Sequence, residues 1–352
     1  MPLVSTESEA AYQRAIGICQ ALPSSSKLYK DDEITLRRQM FANELLIASF
    51  HASSASVIRM QGRLNEAMQE FQIAKRTLRR LADERPFDRN ARLQLATVLI
   101  DSWSGLVPPR LATQAESEYH EALTIIDELL IAEPQSTTCR LLLARCYRSI
   151  APVLGRRQQR AEAIEATAQS LRILEGLVAE HPNAPDYKFE LIATNLQLDV
   201  DSPGVRIELA RQRFSRAVEL AIELTRQTPN MPQYETIQCR AETQLGIVLR
   251  RANEMDAALA SLNDAISGLS AVDARRPNVF LVLQSLAVAQ LELGELLCEI
   301  HRNVEAVKLL RSSTEHFDTM NESNQKNARL RQYLIRSRQS LSSALASSRS
   351  LD

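Results

Sequence analysis

The sequence predicts an all-α fold of repeated helical hairpins, and three observations carry this prediction. Prolines recur about every 48 residues, at Pro86, Pro134, Pro182, Pro229 and Pro277. Alanines keep the same interval, at Ala67, Ala115, Ala163, Ala210, Ala258 and Ala306. The chain has only 9 glycines among 352 residues, and no alternating apolar run typical of a strand. A fixed period of this length indicates one structural unit copied along the chain.

One face of a helix follows each repeated alanine. A large residue comes four positions later, as in Phe71 and Phe214, and a small residue three positions after that, as in Ala74 and Ala217. Apolar residues continue at the same 4-3 spacing through Leu78 and its equivalents, which places them on one stripe. The stripe predicts that small residues allow neighbouring helices to approach closely while large ones fill the space between them.

A second helix precedes each of these and shows its own repeated small residue. Ala48, Ala96, Ala144, Cys239 and Ala287 are in register, with Leu191 as the exception. Gly and Asn lie between the paired helices, and the repeated proline ends the second helix of each pair. Each period is therefore predicted to be one hairpin of two antiparallel helices.

These residues resemble the tetratricopeptide repeat (TPR). The spacings Ala67-x3-Phe71-x2-Ala74 with Pro86, and Ala210-x3-Phe214-x2-Ala217 with Pro229, match the second helix of that family. The resemblance covers about residues 34 to 327 in six copies. It implies a right-handed superhelical solenoid of antiparallel hairpins and a non-catalytic scaffold that binds a partner peptide or helix on its concave face.

The repeat is longer than the roughly 34 residues usual in this family. A period of about 48 residues is similar to arrays attached to certain bacterial Ser/Thr kinases, and His181–Leu191 has that character. An alternative function follows from this: a regulatory or sensory module working with a Ser/Thr kinase, as a separated part of a larger protein. The predicted organisation is an N-terminal helix and linker (1–33), six long hairpins (34–327) and a C-terminal capping helix (328–352).

Charge and composition limit the kinds of partner that the sequence predicts. The 42 basic and 43 acidic residues give a net charge of −1, which does not favour nucleic acid or an anionic membrane. No apolar run approaches the roughly 18 residues of a membrane span, and the first residues lack a signal-peptide pattern. The odd number of cysteines, five, suits a reducing compartment. We therefore expect a cytoplasmic protein that binds neither nucleic acid nor membrane, and the resemblance to the kinase-attached arrays implies that it is bacterial.

The motifs of catalysis are missing from the sequence. It has no glycine-rich phosphate loop, no His-Glu-x-x-His and no Cys-x-x-Cys. His301–Asn303 superficially resembles part of a kinase catalytic loop, yet no Asp-Phe-Gly accompanies it. We expect no enzymatic activity, no cofactor and no metal site.

The family resemblance also indicates where a protein partner would bind. In that register the concave positions come from the first helix of each hairpin and are predicted at Arg145, Arg148, Asn195, Asp199, Arg240, Gln244, Glu292, Glu295 and Glu299. The middle of this surface is basic and polar, and its C-terminal part is acidic. Arginine suits carboxylates because its planar fork donates two hydrogen bonds at once, so we expect a partner segment with acidic residues and a basic end near the glutamates. The alternative is that these side chains are only a solvated helix face.

Overall fold

The computed structural model describes residues 6–21, 33–103, 109–198, 205–323 and 328–349. Within these ranges every long element is an α-helix and no strand occurs, so the predicted all-α class is confirmed. The chain divides into two compact units, an N-terminal unit that ends at Pro182 and a C-terminal unit that begins at Asn183.

The N-terminal unit contains one single helix and three hairpins. In chain order its helices are α1 (Thr6–Ala21), α2 (Glu33–Met60), α3 (Leu64–Glu84), α4 (Arg89–Asp101), α5 (Ala112–Ala132), α6 (Thr137–Arg156) and α7 (Arg160–Glu180), with a 3₁₀ turn at Pro109–Leu111. Each of α2, α4 and α6 packs on the helix that follows it. We call the first helix of a hairpin its A helix and the second its B helix.

The C-terminal unit repeats this plan and ends with a single helix. Its helices are α8 (Pro185–Asn195), α9 (Ile207–Gln227), α10 (Pro232–Arg251), α11 (Met255–Arg275), α12 (Phe280–Glu299), α13 (Asn303–Ser323) and α14 (Ala328–Arg349). Each of the A helices α8, α10 and α12 packs on its own B helix, and α14 packs on α13. The division into segments at residues 33 and 327 stays a prediction.

The repeated small residues mark the closest helix contacts. Ala210 and Ala258 are fully buried, and an added Cβ at Gly246 would lie 2.7 Å from Leu262 Cγ. A second small residue, three positions after the large one, also lies against the neighbouring helix. Ser170 Oγ donates to the Ala144 carbonyl at 2.8 Å, and Ser313 Oγ makes the equivalent bond to Ala287. The third hairpin is less regular, because Ala163 is only half-buried there.

Positive backbone φ angles occur at the turns between helices. Gly62 (φ 83°) and Asn253 (φ 62°) end A helices in the left-handed conformation that glycine and asparagine adopt most readily. A proline inside a helix commonly kinks or ends it, yet α6 continues beyond Pro152 to Arg156. The absent N–H at Pro152 therefore removes one hydrogen bond without ending the helix, because the residues on either side remain packed in the core.

A buried ion pair supports the first two hairpins. Lys75 Nζ on α3 donates to Glu118 Oε2 on α5 at 2.6 Å, and both side chains are almost fully buried. Trp103 Nε1 donates to the same carboxylate oxygen at 2.7 Å, and Gln114 donates to the other at 3.1 Å. Burial lowers the pKa of Lys75, while its hydrogen bond to Glu118 acts in the opposite direction. The sole tryptophan thus anchors the end of α4 to α5.

Candidate functional site: the A-helix faces

Neighbouring A helices contact one another within each unit and so form a surface, which we call the A-helix face. In the N-terminal unit α4 lies against both α2 and α6, and in the C-terminal unit α10 lies against α8 and α12, and α12 against α14. The predicted partner residues on these helices are Arg145 and Arg148 on α6, Asn195 on α8, Arg240 and Gln244 on α10, and Glu292, Glu295 and Glu299 on α12. Asp199 lies outside the described residues.

Three guanidiniums come together on the A-helix face of the N-terminal unit. Arg145 Nη2 lies 2.5 Å from Asp101 Oδ1, and Arg59 on α2 donates to the Asp101 carbonyl oxygen. Arg148 is close enough to Arg59 for their charges to interact. We call Arg59, Arg145 and Arg148, together with Asp101, the arginine cluster.

Burial and charge both act on the central member of this cluster. Burial lowers the pKa of Arg59, Asp101 raises it, and the positive charges of Arg145 and Arg148 lower it again. The guanidinium also lies over the Phe71 ring, 5.6 Å from its centroid. Sequence reasoning did not single out Arg59, although it follows the small residue Ala48 by eleven positions, close to three helical turns on the same helix face.

Two buried hydroxyl groups lie beside the arginine cluster. The Tyr119 hydroxyl on α5 is close to Ser149 on α6 and within electrostatic reach of Arg148 and Arg59. Tyr119 is fully buried and Ser149 is 7% exposed, and neither oxygen makes a hydrogen bond of good geometry to another described residue. Burial raises the pKa of Tyr119, so its hydroxyl keeps its proton at neutral pH. Tyr119 follows the repeated Ala115 by four positions, the spacing that marks a large packing residue, and this spacing gives no indication of a role for its hydroxyl.

A small pocket opens on the A-helix face of the C-terminal unit and includes two of the predicted residues. Its volume is about 130 Å³, and its lining includes Leu196, Arg240, Gln244, Val288, Arg329 and Tyr333. The last two belong to α14, so the C-terminal helix supplies part of this wall. The Tyr333 ring stacks on Phe317 at 5.4 Å, and the Arg329 guanidinium lies 5.7 Å from the Tyr333 centroid.

The three predicted glutamates form a network with two arginines rather than an open acidic surface. Arg250 on α10 lies 3.1 Å from Glu292 Oε2, 3.3 Å from Glu295 Oε2 and 3.5 Å from Glu299 Oε1. Arg336 on α14 lies 2.7 Å from Glu292 Oε1 and donates to both carboxylate oxygens of Glu295, at 2.9 and 2.5 Å. We call these five residues the carboxylate network.

Burial differs sharply among the three carboxylates. Glu292 is 4% exposed, and burial raises its pKa although Arg336 and Arg250 oppose the shift. Glu295 also accepts a hydrogen bond from Ser340 on α14 at 2.9 Å. Glu299 is the most exposed of the three side chains, at 45%. That these glutamates contact a partner stays a prediction; in the structure they join α10, α12 and α14.

Asn195 also has a local role. Its side chain is buried, and Nδ2 donates to the Leu191 carbonyl at 3.0 Å, one turn earlier in α8. The amide of Asn195 therefore hydrogen-bonds within its own helix, in its last turn.

No group of three or more His, Cys, Asp or Glu that could hold a metal ion occurs among the described residues. One described helix, α12, is long and apolar enough to cross a membrane, with a mean hydropathy of 1.5, and 67% of that window is buried inside the protein. The expectation that no apolar run approaches the length of a membrane span therefore needs correction. Isolated polar residues interrupt the apolar run of α12, but they lower its mean hydropathy only slightly. A buried core helix meets the same criterion, and α12 packs against α10, α11, α13 and α14.

The chain is similar in fold to solved TPR structures. A thermophilic TPR protein of Thermus thermophilus is 19% identical, with 66% of this chain and 97% of that one covered and a TM-score of 0.36. The P58(IPK) TPR domain is 14% identical, with 96% and 89% covered and a TM-score of 0.24. The TPR2AB domain of yeast Sti1, solved with pHSP90, is 14% identical, with 81% and 98% covered and a TM-score of 0.23.

No protein-family model matches the sequence, and no curated protein matches it either. At these TM-scores the description of the fold rests on the chain's own hairpins: paired helices, a constant sequence period, and small residues at the helix contacts. The described residues form repeated hairpins of antiparallel α-helices.

Proposed function

We propose that the protein is a non-catalytic scaffold whose A-helix faces bind a peptide or helical segment of a protein partner. The observation that carries this proposal is the pocket of about 130 Å³ that includes Arg240 and Gln244. Pockets for small molecules are typically about 300–1,000 Å³, so this pocket suits one side chain of a longer segment. Its lining combines apolar side chains with two guanidiniums, which is the composition of a side-chain subsite in a polar groove.

The proposed partner segment carries acidic residues. In the C-terminal unit Arg240 and Arg329 at the pocket would receive them, and in the N-terminal unit Arg145 and Arg148 would do so separately, since guanidinium binds carboxylate through two parallel hydrogen bonds. Glu292 and Glu295 would not contact the partner directly, because both already form ion pairs with Arg250 and Arg336.

A second candidate is a regulatory module that acts with a Ser/Thr kinase. It is supported by the long repeat period and by the His181–Leu191 segment alone. Within the same proposal the setting is a bacterial cytoplasm, supported by the odd number of cysteines, all of them free thiols. A kinase recovered as the partner would favour this candidate over a scaffold of general use.

The test is charge reversal on the A-helix face. A partner is first identified by pull-down and mass spectrometry, and its affinity is then measured for Arg145→Glu with Arg148→Glu and, separately, for Arg240→Glu with Gln244→Glu. The control reverses two exposed arginines on B helices, Arg172→Glu with Arg216→Glu. We expect at least tenfold weaker binding and a shallower salt dependence for the first two variants alone. Equal binding by all three would refute the A-helix faces as the site.

A further inference from the structure

Two hydroxyl groups line the pocket of about 130 Å³ on the A-helix face of the C-terminal unit, and neither has a proton left to donate to a ligand. Thr243 Oγ1 on α10 donates to the Cys239 carbonyl at 2.8 Å, and Ser285 Oγ on α12 donates to the Leu281 carbonyl at 2.7 Å. A hydroxyl group has one proton, so each is already used within its own helix. A carboxylate that entered the pocket would gain no hydrogen bond from them.

Apolar side chains from different helices line the same pocket. They are Leu196 after α8, Leu281 and Val288 on α12, and the Tyr333 ring on α14. The Tyr333 ring stacks on Phe317 with the two ring planes 2° apart, and its hydroxyl accepts a hydrogen bond from Arg329 at 3.4 Å. An apolar side chain placed among these residues would remove apolar surface from water on both sides, which favours binding.

The volume of the pocket limits which side chain can enter it. A cavity of about 150 Å³ binds one benzene molecule, so a phenyl ring is slightly too large for a pocket of about 130 Å³. A methyl group would leave most of that volume empty. A carboxylate is small enough, but burying its charge among apolar side chains costs free energy unless enough donors surround it. A leucine side chain is apolar and lies between these limits of size.

Two side-chain amides in the lining suit the main chain of the segment that would carry this leucine. They belong to Gln244 on α10 and Gln284 on α12. A glutamine amide has both donors and an acceptor, which matches the N–H and C=O groups of a peptide unit. A side chain that enters the pocket brings its own main chain to the pocket mouth, where such amides can fix its orientation.

We infer that this pocket binds a leucine side chain of the partner segment, while Gln244 and Gln284 form hydrogen bonds with the main chain of that segment. The inference rests on the proposed function and states which residue the segment places in the pocket. The acidic residues of the segment would flank this leucine. Val288, whose side chain lines the pocket, then sets the size of the side chain that is accepted.

The experiment is an NMR titration of the full chain with four tripeptide probes, following the methyl signals of Leu196, Leu281 and Val288. The probes are acetyl-Glu-Leu-Glu-amide and its counterparts with alanine, phenylalanine or glutamate in the middle. Because each methylene group in an apolar pocket changes binding severalfold or more, we expect the leucine probe to bind at least tenfold more tightly than the alanine probe. No methyl shift with the leucine probe, equal affinity for leucine and alanine, or tighter binding of the phenylalanine or glutamate probe overturns the inference.

Variants assign the response to the pocket. Val288→Ala enlarges it, so the affinity of the phenylalanine probe relative to the leucine probe should rise at least fivefold. The control is Val304→Ala, at a position on α13 that is 67% exposed, and it should leave this ratio unchanged. Gln284→Met keeps the length of the side chain but removes its amide, and it should weaken the leucine probe about fivefold. An unchanged ratio in Val288→Ala overturns the inference, and should that variant lose its fold, Leu281→Ala makes the same test.

A last arm separates this inference from the proposed function. The affinity of the partner recovered by pull-down is measured for Val288→Phe, which fills the pocket, and for Arg240→Glu with Gln244→Glu. We expect at least tenfold weaker binding for both. Binding that is lost in the charge variant but unchanged in Val288→Phe would leave the scaffold standing and overturn the leucine pocket. Unchanged binding in both variants would overturn the pocket as a partner site altogether.

Discussion

The arginine cluster and the carboxylate network both lie on A helices, yet their charges are arranged in opposite ways. In the N-terminal unit three guanidiniums lie near one carboxylate, and two buried hydroxyls lie beside them. In the C-terminal unit three carboxylates are joined by two guanidiniums, and one of these comes from α14. One repeat register can therefore hold neighbouring guanidiniums in one place and ion pairs that join three helices in another.

The largest expected effect is a difference in stability between variants that remove one arginine from each arrangement. Arg250→Met leaves Glu292 buried with Arg336 as its remaining guanidinium, and breaking a buried ion pair typically costs about 3–5 kcal/mol. Arg145→Met loses the pair with Asp101 but also relieves repulsion from Arg59 and Arg148, so we expect a change within about 1 kcal/mol. Urea unfolding of both variants measures the difference. Similar losses of free energy of unfolding would mean that the arginine cluster stabilises the fold as much as the carboxylate network does.

The helix contacts provide a second contrast between the units. Ala210→Leu and Ala258→Leu insert a side chain at fully buried positions of the C-terminal unit, and overpacking typically costs about 1–3 kcal/mol. Thr167→Leu, in the less regular hairpin of the N-terminal unit, fills a half-buried slot where other repeats hold Phe, Tyr or Leu. It should cost less than either. Thermal unfolding midpoints that coincide for all three variants would contradict the packing assignment.

The smallest expected effect is on how the free energy of unfolding depends on pH, with Glu292 as the group tested. Burial raises the pKa of Glu292 above its unfolded value, so its contribution to stability is fully present below that value and is lost as pH rises through the folded pKa. Relative to Glu292→Gln, the unaltered chain should therefore lose free energy of unfolding as pH rises from the unfolded pKa of about 4.3 through the higher folded pKa, by at most about 1.4 kcal/mol per pH unit. Denaturant unfolding across this range measures the slope.

Glu66 in the N-terminal unit is the matched control. Its hydrogen bond from Arg63 lowers its pKa, so its contribution is present above the unfolded value and is lost as pH falls. The difference between the unaltered chain and Glu66→Gln should have the opposite sign and be smaller, because the side chain is exposed and solvent screens the pair. Slopes of the same sign for the two variants would be inconsistent with a raised pKa at Glu292 and a lowered pKa at Glu66.

The sequence was sufficient to predict the helical hairpins, because Ala210, Phe214 and Ala217 recur at a spacing that only a helix places on one face. The partners of polar side chains were not predictable in the same way. Glu292 on α12 forms an ion pair with Arg336 on α14, two helices further along the chain. That pairing depends on how far α14 is rotated about its own axis. No periodicity within a single repeat encodes such a rotation.

Tyr119 shows a related limit. Its repeat position marks it as a packing residue, and its ring is indeed fully buried. The hydroxyl beyond that ring reaches Ser149 and Arg148 on the following A helix, a relation that requires the approach of α5 to α6 to be known. Arg59 was missed because its neighbours come from α3, α4, α5 and α6, not from its own helix.

The attachment of α14 to the carboxylate network also bears on how such a chain can evolve. Repeat proteins commonly change length by duplication or loss of whole units, since each unit contacts only its neighbours. A unit inserted between α13 and α14 would separate Arg336 and Ser340 from Glu292 and Glu295, and a buried carboxylate would lose a cation that it now contacts. Duplication at this junction would thus be selected against unless a new arginine arose at once, so the last hairpin and its terminal helix should be inherited together.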